Sequence, residues 1–108
     1  MPSSLAPRTP RPSRLLPKRG VSGLRDQLER ASISIVLNIA EGLGRFSPAD
    51  KARFYAIARG SATECAAIVD IVIGRGLATA LACQQARPLL VRIVQMLTRL
   101  NARMAVSN

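Results

Sequence analysis

Between residues 39 and 50 the chain carries signals to end one helix and begin another, and few folds accommodate that. Gly42 is free to adopt the left-handed conformation that stops a helix, and Gly44 adds a second pliable point. Ser47-Pro48-Ala49-Asp50 then supplies an N-cap, a proline at the first helical position and an acid in the first turn. Two helices folded back on each other about residues 43–46 are the expected outcome.

The flanking periodicity supports this. After Ser22, a fair N-cap, Leu24, Leu28, Ala31, Ile35 and Ile39 repeat with the four-then-three spacing of one helical face, predicting a first helix over 23–41. Ile33, Val36, Leu37 and Ala40 widen that face, so the helix is expected to be buried on more than one side. A second helix over 48–75, closed by Gly76, turns Phe54, Ile57, Ser61, Cys65, Ile68 and Val72 inward. Gly60, with Ser61 and Ala62, marks a point where another backbone is expected to come close. A third helix over 80–104, capped by Thr79, faces the core with Ala86, Leu89, Leu90, Ile93, Leu97, Leu100 and Met104. Pro88 removes one backbone hydrogen bond there and is expected to kink the helix or delay its start. The fold class is therefore all-α, an antiparallel up-and-down helical bundle of three helices over residues 21–106.

Residues 1–20 are of another kind: they hold five of the seven prolines and five basic residues, with no acid. Such a composition predicts a disordered arm, whose Arg8, Arg11, Arg14, Lys18 and Arg19 suit contact with nucleic-acid phosphates or a simple solvated leader. The chain of 108 residues has a net charge of +10, which favours an anionic partner. On the third helix Arg92, Gln95, Arg99 and Arg103 recur at helical spacing, and no acid follows Asp70. That is either a basic ridge for an RNA or DNA backbone or an ordinary solvated face.

Most catalytic chemistry lacks its residues here. There is no His, the two cysteines Cys65 and Cys83 have no metal-ligand spacing, and neither a phosphate-cradling glycine loop nor an activated nucleophile is present. No enzyme, cofactor, metal or small-molecule substrate is expected. The cysteines, set among Ala, Ile and Val, read as buried apolar residues of a reducing, cytoplasmic compartment. The most apolar run, 65–82, is broken by Asp70, Arg75 and two glycines, so no membrane span is expected. Base stacking is poorly served, because two of the three aromatics, Phe46, Phe54 and Tyr55, are expected to pack inward. Glu41 and Glu64 are read as braces: Glu41 beside the free amides of Ala49 and Asp50, Glu64 beside Arg25.

Several of these residues form a recognisable pattern: Gln27-Leu28-Glu29-Arg30-Ala31, Ser34-Ile35, the run NIAEGLGR at 38–45, then Phe54, Ala58, Gly60-Ser61 and Glu64. Over about residues 16–103 the chain resembles the four-helix-bundle proteins named for reading frames inside 23S ribosomal RNA intervening sequences. Asn38, Glu41, Gly42, Gly44, Arg45, Gly60, Ser61 and Glu64 carry the match. The resemblance implies an all-helical up-and-down bundle without enzymatic activity, often assembled as a homopentamer. It also implies kinship with an accessory protein of diversity-generating reverse transcriptases. Two departures stand out. The family's first helix, rich in apolar and aromatic residues, would precede Leu16, where the proline-rich arm stands; and Val36-Leu37 replace a familiar proline after Ser34-Ile35, making the first helix more continuous.

Lacking a helix, the first and third helices would bare apolar surface, with Val91 and Val94 also off the main stripe, and self-association would cover it. Two functions follow as expectations. One is an oligomeric, nucleic-acid-associated protein whose basic surface combines Arg92, Arg99, Arg103 and the arm. The other is a structural oligomerisation or protein-interaction module that binds no nucleic acid, with an apolar groove for a partner helix.

Overall fold

A computed structural model describes residues 22–76 and 80–107 as three helices, α1 (Ser22–Leu43), α2 (Pro48–Arg75) and α3 (Ala80–Ser107). Among the described residues there is no strand. The all-α, up-and-down bundle is thus observed. Residues 1–21, including the arm with Arg8, Arg11, Arg14, Lys18 and Arg19, lie outside the described residues, as does Thr79.

Local chemistry accounts for the helix ends. At the start of α2 the Asp50 amide donates to Ser47 Oγ at 3.1 Å, and Pro48 occupies the first turn, where no amide donor is required. At its end Gly76 takes φ 64°, ψ 33°, and its N–H turns back to Ile73 and Val72 carbonyls. The end of α1 is built differently. Gly76 is the one described glycine with positive φ, so Gly42 is not the left-handed cap expected of it. Instead α1 continues through Gly42 to Leu43, and Lys51 from α2 reaches back to the last carbonyls, Nζ donating to Gly42 O at 3.2 Å and Leu43 O at 3.3 Å.

The helices alternate in direction. Ser34 meets Ser61 and Gly42 meets Tyr55 across α1 and α2, while Asp70 meets Arg87 and Arg59 meets Thr98 across α2 and α3. α2 is the spine: α1 and α3 each lie along it and hardly touch each other. One cluster joins Leu28, Ala31 and Ile35 to Ala62, Cys65, Ile68, Val69, Val72 and Cys83. The other joins Tyr55, Ala58 and Leu97, with Ile39, Leu100 and Met104 against it. Burying a side chain such as Leu97, which is fully enclosed, contributes about 1.5–3 kcal/mol. Ala58 and Ala62 on α2 are fully enclosed between the helices.

Several expectations are corrected by this packing. Tyr55, Ala58 and Ala62 point inward from the first half of α2, whereas Ile57 is exposed and Phe54 and Ser61 are half-buried. The stripe is rotated because small residues, not the largest apolar ones, face the neighbouring helices. Gly60 is exposed, and a Cβ built on it meets nothing within 4 Å, so it marks no close approach. The tight contact is at Gly42, where a Cβ would fall 2.5 Å from Tyr55 Cε1. On α3, Leu89 is 56% exposed instead of core, Val94 joins the core cluster, and the helix continues unbroken through Pro88 from Ala80. Only Tyr55 of the three aromatics is buried; Phe46 is 100% exposed.

Candidate interaction surfaces

The NIAEGLGR segment holds the α1–α2 hairpin in register. Asn38 Nδ2 donates to Ser34 O at 2.9 Å and to Ser34 Oγ at 3.0 Å, and Ser34 Oγ shares a hydrogen bond of 2.7 Å with Ser61 Oγ. Polar groups half-buried between two helices lose water and must find each other, so this relay resists sliding of α1 along α2. Gly42, one turn on, lets the Tyr55 ring lie against the α1 backbone.

The braces expected of the two glutamates are not the ones formed. Glu41 pairs with Arg45, two residues past the end of α1, at 2.9 Å and leaves the α2 N-terminus to Ser47. Glu64 makes no ion pair with Arg25; it lines a shallow groove with Gln27, Arg30 and Ala31. Arg45 and Arg53 both lie over the Phe54 ring, their Cζ atoms 4.8 and 4.6 Å from its centroid. That stack lies outside any reading of the sequence, because spacing alone does not show which aromatic is buried and which carries cations.

A groove of about 310 Å³ runs between α1 and α3, with α2 as its floor. Ile35 and Val36 form one wall, Ala86, Leu89, Leu90 and Ile93 the other, and Cys65 and Val69 lie at the bottom. Nearly all of its lining is apolar. Val36 at 66% and Leu89 at 56% exposure are large side chains of its walls left to solvent. Water gains nothing from such a surface, and a helix laid into it would bury both.

The basic ridge lies along the outer edge of the same α3 wall. Arg92, Gln95, Arg99 and Arg103 are all exposed, and Met96, Arg99, Leu100 and Arg103 surround a shallow pocket of about 240 Å³. Charge is unevenly shared between the helices. α1 carries Arg25 and Arg30 against Asp26, Glu29 and Glu41, whereas α3 carries Arg87, Arg92, Arg99 and Arg103 and no acid. Arg87 is committed to Asp70, with Nη2 donating to Oδ2 at 3.1 Å and Nε to Oδ1. That hydrogen bonding holds the Asp70 carboxyl below its ordinary range and raises the Arg87 guanidinium.

Burial pushes the thiols of Cys65 and Cys83 up, with the contact to Ser32 acting in the opposite direction on Cys65, so neither is poised as a nucleophile. Among the described residues no group of three or more His, Cys, Asp or Glu side chains could hold a metal ion, and no helix is long and apolar enough to cross a membrane.

The chain belongs to the family of 23S rRNA-intervening sequence proteins, whose sequence profile matches residues 4–99. No curated protein matches the sequence. The family is one of small helical proteins of undefined role, not known as enzymes. Its profile runs over α1, α2 and most of α3, and so over the Asn38–Ser34–Ser61 relay, the groove and the first part of the ridge.

Proposed function

We propose that the chain is a non-catalytic, self-associating helical module of the cytoplasm that holds an RNA or DNA backbone along the outer edge of α3. The ridge carries this reading: α3 presents Arg92, Arg99 and Arg103 to solvent at helical spacing with no acid on the same helix. Arg92 and Arg99 make no ion pair within the described residues, so their guanidiniums are available to phosphates. Arg8, Arg11, Arg14, Lys18 and Arg19 would add to the same field. Of the acids, Glu41, Asp50 and Asp70 each face an arginine while Asp26, Glu29 and Glu64 form no ion pair among the described residues, and both thiols are buried.

The test is binding of generic RNA over a range of salt. Affinity should fall steeply with salt, and Arg92→Ala with Arg99→Ala should reduce the slope by about one for each arginine that meets a phosphate. No binding at low salt would leave the second reading, a structural assembly module whose charge only keeps it soluble. The apolar groove favours that alternative, because it invites a protein helix and not a nucleic acid.

A further inference from the structure

With only Tyr55 of the three aromatics buried, the ground for discounting base stacking is gone. Phe46 stands in the connection between α1 and α2, its ring fully exposed and packed against nothing. The company it keeps is cationic. Arg45 and Arg53 lie over the Phe54 ring, and Lys51 sits at the last carbonyls of α1. Glu41 and Asp50 offset part of that charge, lying 2.9 Å from Arg45 and 3.8 Å from Arg53, so three cations face two acids and the hairpin tip stays net positive. The hydrogen bond to Glu41 takes one N–H of Arg45 and leaves the others of its guanidinium to a further acceptor. Stacking on Phe54 restrains both arginines in advance, which lowers the entropy lost when they meet a ligand.

The tip also lies at the end of the bundle where the ridge finishes. The antiparallel register that sets Asp70 against Arg87 and Arg59 against Thr98 brings Arg103 level with Phe54. A strand followed along α3 past Arg103 therefore reaches the end that carries Phe46. Resting on the polyanion reading above, we infer that Phe46 is a stacking platform for an unpaired base, with Arg45 and Arg53 on the flanking phosphates, and that the bound form is a single strand. A nucleotide brings a flat ring and an anion together, the two chemistries that an exposed aromatic among cations can use. A protein surface covering Phe46 would instead strip water from the cations around it, at a cost that unpaired charge does not recover. A duplex keeps its bases stacked on one another and offers the ring no face. The ridge then supplies attraction to any polyanion, and the tip supplies the preference for an unpaired one.

The test is binding of the full chain to a single-stranded RNA of mixed sequence and to the same sequence as a duplex. The single strand should bind more tightly, and Phe46→Ala should weaken it by about fivefold or more while the duplex affinity and the salt slope stay unchanged. Phe46→Leu separates a stacking ring from a merely apolar side chain: it should lose nearly as much, whereas Phe46→Trp should bind at least as well as the native chain. A strand carrying photoreactive iodouracil should cross-link to Phe46. Because the ring packs against nothing, helicity by circular dichroism and assembly mass by light scattering should be the same in all these variants. Equal affinity for the two RNAs, or a neutral Phe46→Ala, overturns the platform and leaves the ridge standing. A change of assembly mass in Phe46→Ala overturns it as well, by making the ring a contact between copies. No RNA bound at low salt overturns platform and ridge together.

Discussion

The two sides of α1 have opposite characters. Its seam with α2 is fixed at several levels: the Asn38–Ser34–Ser61 relay, the Tyr55 ring against Gly42, and Lys51 on the last carbonyls. Its side toward α3 has no such device, only an apolar groove with exposed Val36 beside it. Position along a helix pair is set by directional or shape-specific contacts, whereas an apolar wall is satisfied by any partner that excludes water. The family pattern NIAEGLGR therefore marks the side of α1 that is already committed within the chain, and the groove side carries no such commitment.

The seam should be the fragile half. Gly42→Ala places a methyl group against a buried ring, and a destabilisation of about 1–3 kcal/mol is expected despite alanine's helix preference. Urea unfolding should show it, with much of the loss recovered when Tyr55→Leu accompanies it; an unchanged midpoint would mean that Tyr55 turns aside freely. Ser61→Ala removes one member of the relay and is expected to cost about 0.5–1.5 kcal/mol in the same assay. If it were neutral, the seam would be held by shape alone. Gly60, one residue away, faces open space, so Gly60→Ala should stabilise by about 0.5–1 kcal/mol. A loss there would place Gly60 in a contact with another chain.

The smallest effect concerns the α2–α3 surface. Asp70 titrates lower folded than unfolded because Arg87 is hydrogen-bonded to it. Its contribution is thus present above the ordinary carboxylate range, near pH 4, and is lost as the pH falls through the depressed value. Because the pair is exposed the effect is slight. Comparing melting temperatures of the native chain and Asp70→Asn from neutral pH to pH 3 should show the difference narrowing, and a constant gap would show that Arg87 does not favour the charged form.

Helix ends were legible in the sequence wherever they depend on adjacent residues. Ser47, Pro48 and Asp50 start α2 as expected, and Gly76 ends it, because capping is decided within a few residues of the chain. Roles that depend on rotation about the helix axis were not legible. The close approach expected at Gly60 is found at Gly42, which was expected to end its helix: a helix interior fixes how a glycine's backbone runs, but only the neighbouring helix decides whether its missing Cβ is needed. The stripe on α2 was misplaced for a related reason. Ala58 and Ala62 contribute little to a hydrophobic pattern that Phe54 and Ile57 dominate, yet helices pack closest where side chains are small. Of the candidate surfaces, the arginines of α3 could be read directly from spacing. The groove could be expected only as surplus apolar area, since its walls come from two helices far apart in the chain.

That α1 and α3 each rest on α2 and scarcely on each other also bears on how the chain acquires its shape. Each of the two hairpins joins consecutive helices, and helical bundles of that kind reach their native state in microseconds to milliseconds. Either hairpin can form first. Under the self-association proposed above, other copies arrive after that, by an encounter whose rate depends on concentration, and refolding should then resolve into a fast phase independent of protein concentration and a slower one that accelerates with it.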